Sequence, residues 1–289
     1  MNQENSISIA SSAMLVELSI SAWTARKLDK KVSTQVDLDK HAKTRAGNYN
    51  KNLLAGTGFL DTINKYAASA RHWHSTQTLP WSDNGLRLLP MGNFLTYKEN
   101  LATLDKNYTA LVNKFVIAYP NLVSAAAFQL GDLFDRSEYP DADTVARKFK
   151  FRVNYLPVPM AGDFRVDIGE EAKAEIIQSC EGLYAERLGN AMKDAWTRLH
   201  DCLLRMSDRL SDDDKGDRKR IHDTLVDNAV ELTDLLKHFN LTGDANMEAA
   251  RKDLESAIAN HDADDLRESH VAREVVKNKV DAILSKFSF

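Results

Sequence analysis

The side chains able to do chemistry are spread thinly along this chain. His72 and His74 flank Trp73. On a helix, positions i and i+2 diverge by about 200°, so these two imidazoles cannot chelate one metal ion. In an extended segment they share a side, but no third ligand accompanies them. Cys180 and Cys202 fall on one predicted helix, about 33 Å apart at 1.5 Å per residue and far beyond disulfide reach. They read as reduced core cysteines of a cytoplasmic protein. Residues 211–217 (SDDDKGD) form an acidic turn that does not match a calcium loop. His200, His222 and His238 read as boundary residues of a helical hairpin. There is no nucleophile elbow, H-E-x-x-H, C-x-x-C, phosphate loop or dinucleotide-binding glycine pattern. The expectation is a non-enzymatic protein with no catalytic residue, no metal site and no cofactor. A site assembled from residues distant in sequence is the enzymatic alternative.

Cations are better organised. From Lys148 to Ile168, Phe149, Phe151, Val153 and Tyr155 alternate with Lys148, Lys150, Arg152 and Asn154. Phe164, Val166 and Ile168 then alternate with Arg165 and Asp167. A period of two puts each apolar set on one sheet face. Pro157, Pro159 and Gly162 between the two runs supply a turn. The segment predicts a β-hairpin whose open face carries Lys148, Lys150, Arg152 and Arg165, with Arg147 beside it. Clustered cations of this kind suit phosphates. A single-strand binder also wants aromatics on the same face, and here they point the other way. The competing reading is an edge kept soluble by charge. A second basic set, Arg26, Lys27, Lys30 and Lys31, reads as a solvated helix face.

Two stretches could meet a partner protein. Residues 78–90 (TLPWSDNGLRLLP) are bracketed by Pro80 and Pro90 and carry Trp81, Leu86 and Arg87, too apolar for a loose loop. They read either as a loop packed on the core or as a docking element. On the predicted helix 170–210, Leu188, Met192, Leu199 and Met206 lie on an apolar stripe that follows a seven-residue spacing for two to three heptads. The stripe suits a close antiparallel neighbour or a self-association seam.

The elements that must position these residues are mostly helices. Only 6 prolines and 12 glycines interrupt 289 residues. Helical periodicity runs over 23–46, 59–74, 91–119 (ended by Pro120), 121–135, 170–210, 218–239, 246–260 and 264–287. Asp141 or Asp143 caps a short helix before the hairpin. Met14, Val16, Leu18 and Ile20 alternate as a third strand, about 14–20, which would complete a sheet that a lone hairpin could not sustain, although Leu15, Leu18 and Ala22 also fit a helix. The fold class is mainly α: long helices and helical hairpins with a small antiparallel β-sheet (hairpin about 148–168). The expected organisation is a flexible segment 1–13, a helical section with the sheet at 14–168, and a long-helix section at 169–289, or one continuous domain. Hydrophobic content of 43% and charged content of 28% suit a soluble globular chain, and a net charge of −4 is too mild to imply nucleic acid or membrane alone. No apolar run approaches a membrane span, and MNQENSISIASS lacks the features of a signal peptide.

Four stretches together carry a resemblance: LVELSISAWTARKLDKKVS at 15–33, YNKNLLAG at 49–56, TLPWSDNGLRLLP at 78–90 and YLPVPMAGDFRVDIGEE at 155–171. They resemble an uncharacterised helical family encoded by tailed bacteriophages and integrative mobile elements, over most of residues 14–239. The resemblance implies a host-cytoplasmic protein whose genes lie near a MoxR-type AAA ATPase, a von Willebrand factor A-type protein or recombination genes. It names no functional residue. Two functions are therefore expected. The first is protein–protein assembly, by self-association or by binding a partner such as an AAA ATPase. The second is a DNA-binding accessory role in replication or recombination through the hairpin's basic face. Neither involves a membrane or a small-molecule substrate.

Overall fold

A computed structural model describes Ile9 and residues 11–159, 170–212 and 218–286. In chain order the elements are β1 (Ala13–Ser21), β2 (Arg26–Leu28), α1 (Lys30–Asp39), β3 (Asn50–Asn52), α2 (Phe59–Thr76), β4 (Leu79–Pro80), β5 (Arg87–Pro90), α3 (Phe94–Leu130), α4 (Ala142–Ala146), β6 (Lys150–Pro157), α5 (Glu170–Leu210), α6 (Thr224–Phe239), α7 (Ala245–Ile258), α8 (Ala263–Glu268) and α9 (His270–Lys286). The protein is mainly helical with a small antiparallel sheet, as its periodicity predicts.

The larger sheet has the order β4-β5-β1-β6. β1 pairs antiparallel with β5 from Ala13↔Pro90 to Val16↔Arg87, and β5 pairs antiparallel with β4 at Leu79↔Leu88. On its other side β1 meets β6. The Ser21 hydroxyl donates to the Lys148 carbonyl at 3.2 Å, and the Asn154 amide donates to the Glu17 carboxylate at 3.1 Å. Rising numbers on one strand meet falling numbers on the other, so this pair is antiparallel too. Among the described residues β6 is an edge of that sheet.

Contacts divide the chain into two compact units. The first comprises Met1–Glu17, Ser75–Tyr97 and Asn154–Phe289, and the second Leu18–His74 and Lys98–Val153. The division falls within β1, α2, α3 and β6, not at a linear boundary near 168. Each unit has its own core. In the first, α5 lays Leu199, Leu203 and Met206 against Leu236, Leu254, Val276 and Val280 of α6, α7 and α9. In the second, Tyr108, Phe115 and Tyr119 of α3 pack with Ile63 and Ala67 of α2, with Leu53 and Leu54, and with Phe149.

Several elements differ from expectation. The start of the predicted 23–46 helix is instead a short strand, because Ala25 takes a left-handed backbone (φ 49°) and Arg26–Leu28 then pair with Asn50–Asn52. The helix starts only at Lys30, where Asp29 accepts from the Lys31 and Val32 amides. The stretch 78–90 packs on the core as the β4–β5 hairpin, its connecting loop turned at Gly85 (φ 89°). Pro120 does not end a helix: α3 runs through it, because Phe115, Tyr119, Val123 and Ala126 on both sides belong to one buried stripe. Met91–Leu133 is also long and apolar enough to cross a membrane by length and composition, since its alanines raise hydropathy without a continuous apolar run. Residues 218–223 stay non-helical, with the Ile221 carbonyl held by Arg267 (2.9 Å) and the Lys219 carbonyl by Arg273 (3.0 Å). The last predicted helix breaks at Ser269, whose hydroxyl caps α9 through the Ala272 amide. Asp141 caps α4 as predicted, at 2.8 Å from the Thr144 amide. The second strand of the 148–168 hairpin lies outside the described residues.

Candidate nucleic-acid interface

β6 carries the alternation read from its sequence. Lys150, Arg152 and Asn154 are exposed, while Phe149, Phe151, Val153 and Tyr155 turn inward. The inward rings are held by other rings. Phe149 meets Phe115 edge-on at 5.5 Å, Phe151 lies 5.8 Å from Tyr108, and Tyr155 meets Phe94 edge-on at 5.7 Å. This packing fixes which face of the strand looks outward. Lys148, just before the strand, is exposed as well. None of Lys148, Lys150 and Arg152 has an ion pair among the described residues. Arg147 donates to the Thr144 hydroxyl at 3.0 Å. The neighbouring Asp141 carboxylate is held below its usual range by Thr144 hydroxyl and amide bonds, with a smaller contribution from Arg147. Arg165 lies outside the described residues.

The wider setting of these cations is basic, which the bulk charge conceals. The second unit contains 18 Lys and Arg against 11 Asp and Glu, a formal +7. The first contains 20 against 31, a formal −11. Arg26 and Lys27 on β2, and Lys30 and Lys31 at the start of α1, are exposed cations of the second unit. Lys51 is the exception. It is almost fully buried, donates to the Leu133 carbonyl at 2.8 Å, and pairs with Glu138 at 2.7 Å and Asp29 at 3.2 Å. Burial alone would lower its pKa, but the two carboxylates outweigh burial and hold it above the ordinary lysine value. Lys51 ties α1 to the Arg136–Glu138 turn and belongs to the framework, not to the open surface.

The residues proposed as partner contacts are placed differently. Trp81 is 4% exposed and stacks on Tyr184 at 6.3 Å, with the Arg187 guanidinium 6.0 Å from its ring. Leu86 packs on the same core. Arg87 donates to the Thr78 hydroxyl (2.6 Å) and to the Ser75 and Thr78 carbonyls. Arg198 donates to the carbonyls of Ser75, Thr76 and Thr78 and pairs with Asp194 at 2.7 Å. These two guanidiniums therefore bind the C-terminal end of α2. Leu188, Met192, Leu199 and Met206 are all buried, Leu199 to 1% and Met206 to 0% exposure, beneath helices of their own chain. The stripe is an internal seam, so the self-association surface expected there is closed off. The physical reason is that a stripe without flanking signals reads identically whether its cover is a second chain or α6, α7 and α9.

Sequence reasoning missed the charge segregation, because the basic unit is assembled from two separated segments. It also missed two exposed apolar side chains on α3, Ile117 and Phe128. Eleven residues apart is three helical turns, so a spacing test on that helix could have found them. Among the described residues no group of three His, Cys, Asp or Glu side chains could hold one metal ion. Comparison with protein-family models, with curated proteins and with solved structures gives no match to this chain.

Proposed function

We propose that the protein binds nucleic acid non-enzymatically, through phosphate contacts from the basic second unit, with the β6 row Lys148, Lys150 and Arg152 and the adjoining Arg147 at the centre. The observation that carries this reading is an exposed row of cations, free of ion pairs among the described residues, in a unit of net +7. Its geometry also argues for the kind of binding. With Phe149, Phe151 and Tyr155 turned inward, the row offers no ring for base stacking. Contacts would go to phosphates and carry little sequence information, so a duplex should bind at least as well as a single strand. The reading agrees with the mobile-element resemblance, whose gene neighbourhood includes recombination functions.

The test is fluorescence anisotropy with a labelled duplex and a single strand of the same length across a salt series. Three to four phosphates neutralised would give a log–log salt slope of about −3. Lys150→Glu with Arg152→Glu should weaken binding at least tenfold and reduce the slope by about 2. Lys279→Glu, an exposed cation of the acidic unit, should leave both unchanged. Absence of binding at low salt, or an unchanged affinity in the double variant, would overturn the proposal.

A further inference from the structure

The C-terminal half of α3 is exposed in an unusual way. From Phe115 to Gly131 the chain holds no charged residue, although one side of this helix faces solvent. Ile117 is 80% exposed and Phe128 is 92% exposed. Between them the same side carries Asn121 and Ser124, both small and exposed. The inner side is a normal core face, with Phe115, Tyr119, Val123 and Ala126 buried. Solvent-facing helix sides are ordinarily charged, and this one instead presents an uncharged strip with an apolar side chain projecting at each end. One turn before Ile117, an apolar cavity of about 300 Å³ opens between α2 and α3, lined by Gly58, Phe59, Thr62, Ile63 and Leu111, with Lys114 at its rim.

We infer that this face pairs with the same face of a second copy, the two α3 helices running antiparallel and crossing near Asn121, so that Phe128 of each copy enters the Phe59–Ile63–Leu111 cavity of the other. The knob and the hole lie on one helix at opposite ends of a small, neutral midsection. A two-fold axis through that midsection brings each knob to the other copy's hole, which is the self-complementarity an isologous contact requires. The charges agree with this orientation. Lys114 precedes the neutral stretch, which runs to the C-terminus of α3 at Leu130. In the antiparallel pair each Lys114 faces the negative C-terminal turn of the partner's α3. A parallel pairing would place lysine against lysine. The neutral stretch is about 25 Å long, so the footprint is at the small end of specific interfaces, and the expected dissociation constant is micromolar. This inference does not depend on nucleic-acid binding.

Sedimentation velocity of the full chain across a concentration series tests it. Wild type should pass from monomer to dimer, and no further, in the micromolar range. Phe128→Glu and Ile117→Lys, both at exposed positions, should each weaken dimerisation at least a hundredfold with an unchanged circular dichroism melt. Lys114→Glu, which turns a carboxylate towards that negative helix end, should weaken it as well. A wild type that stays monomeric at high concentration would overturn the inference, as would an oligomer indifferent to Phe128→Glu. Flotation of wild type, but not Phe128→Glu, with phosphatidylcholine vesicles would also overturn it, by assigning the face to lipid.

Discussion

Arg273 directs its guanidinium to the chain's own backbone. It is 4% exposed and donates to the carbonyls of Arg209, Leu210, Ser211 and Lys219, closing the C-terminal end of α5. Arg251 is equally buried, held by Glu248 and Glu255 at 2.8 Å each. In both places a cation is a structural part with its donors occupied, whereas Lys150 and Arg152 are exposed and have no ion pair among the described residues. That difference separates framework from candidate interface, and residue type alone cannot show it. The Arg251 cluster also makes a pH prediction. Hydrogen bonding to Arg251 holds the Glu248 carboxyl down to about 2, against burial, which would raise it. A depressed folded-state pKa means stability that is fully present above the ordinary value of 4.5 and lost as pH falls from about 4.5 towards 2. Glu248 is partly solvent-exposed, so screening limits the effect to about 0.5–1 kcal/mol. Urea titrations should find Glu248→Gln less stable than wild type by that amount at neutral pH, with the gap closing by about pH 2. A gap independent of pH would show that charge is not the origin.

Elements were legible in proportion to how much their own residues determine them. The alternation on β6 and the length of α5 are local patterns reinforced at every position, and both stand where the sequence puts them. The Asp141 cap on α4 is a single local bond and was equally readable. The two-residue β4 and three-residue β2 and β3 are too short to carry a period, and pairing partners remote in sequence decide them. Pro120 shows the same competition with a measurable consequence. A proline inside a helix loses one backbone hydrogen bond and crowds the preceding turn, yet the buried stripe from Phe115 to Ala126 keeps α3 continuous. Pro120 is itself exposed, so replacing it disturbs no core contact. Pro120→Ala should therefore stabilise the protein by about 1–2 kcal/mol in urea unfolding at dilute protein concentration, less than the full helix-interior penalty because proline also restricts the unfolded chain. A destabilised variant would mean that the proline itself is needed for packing.

At the scale of the molecule, two hydrophobic cores are built from interleaved segments, and β1, α2, α3 and β6 each contribute to both units. No linear reading finds this, because composition and periodicity describe neighbours in sequence while a core is defined by neighbours in space. The candidate site was partly hidden for the same reason: the row on β6 could be read, but not the basic unit around it. The interleaving has a thermodynamic consequence. If one unit unfolds, β1 and β6 each lose about half their packing and α2 and α3 each lose one end or the rest, and helix and sheet formation are cooperative along an element. The two cores should therefore melt together, although among the described residues they are separate hydrophobic clusters. Leu199→Ala removes a fully buried side chain from the first core, at about 2–5 kcal/mol. Trp81 reports on that core, and Trp23 reports on the second, where it packs on Phe115 and Tyr119 at 6.5 and 5.8 Å. With fluorotryptophan labels followed by ¹⁹F NMR in urea, both resonances should disappear at one midpoint in wild type, and Leu199→Ala should lower that midpoint equally for both. If Trp81 shifts while Trp23 does not, the shared elements transmit too little to couple the units, and the second unit folds on its own strength.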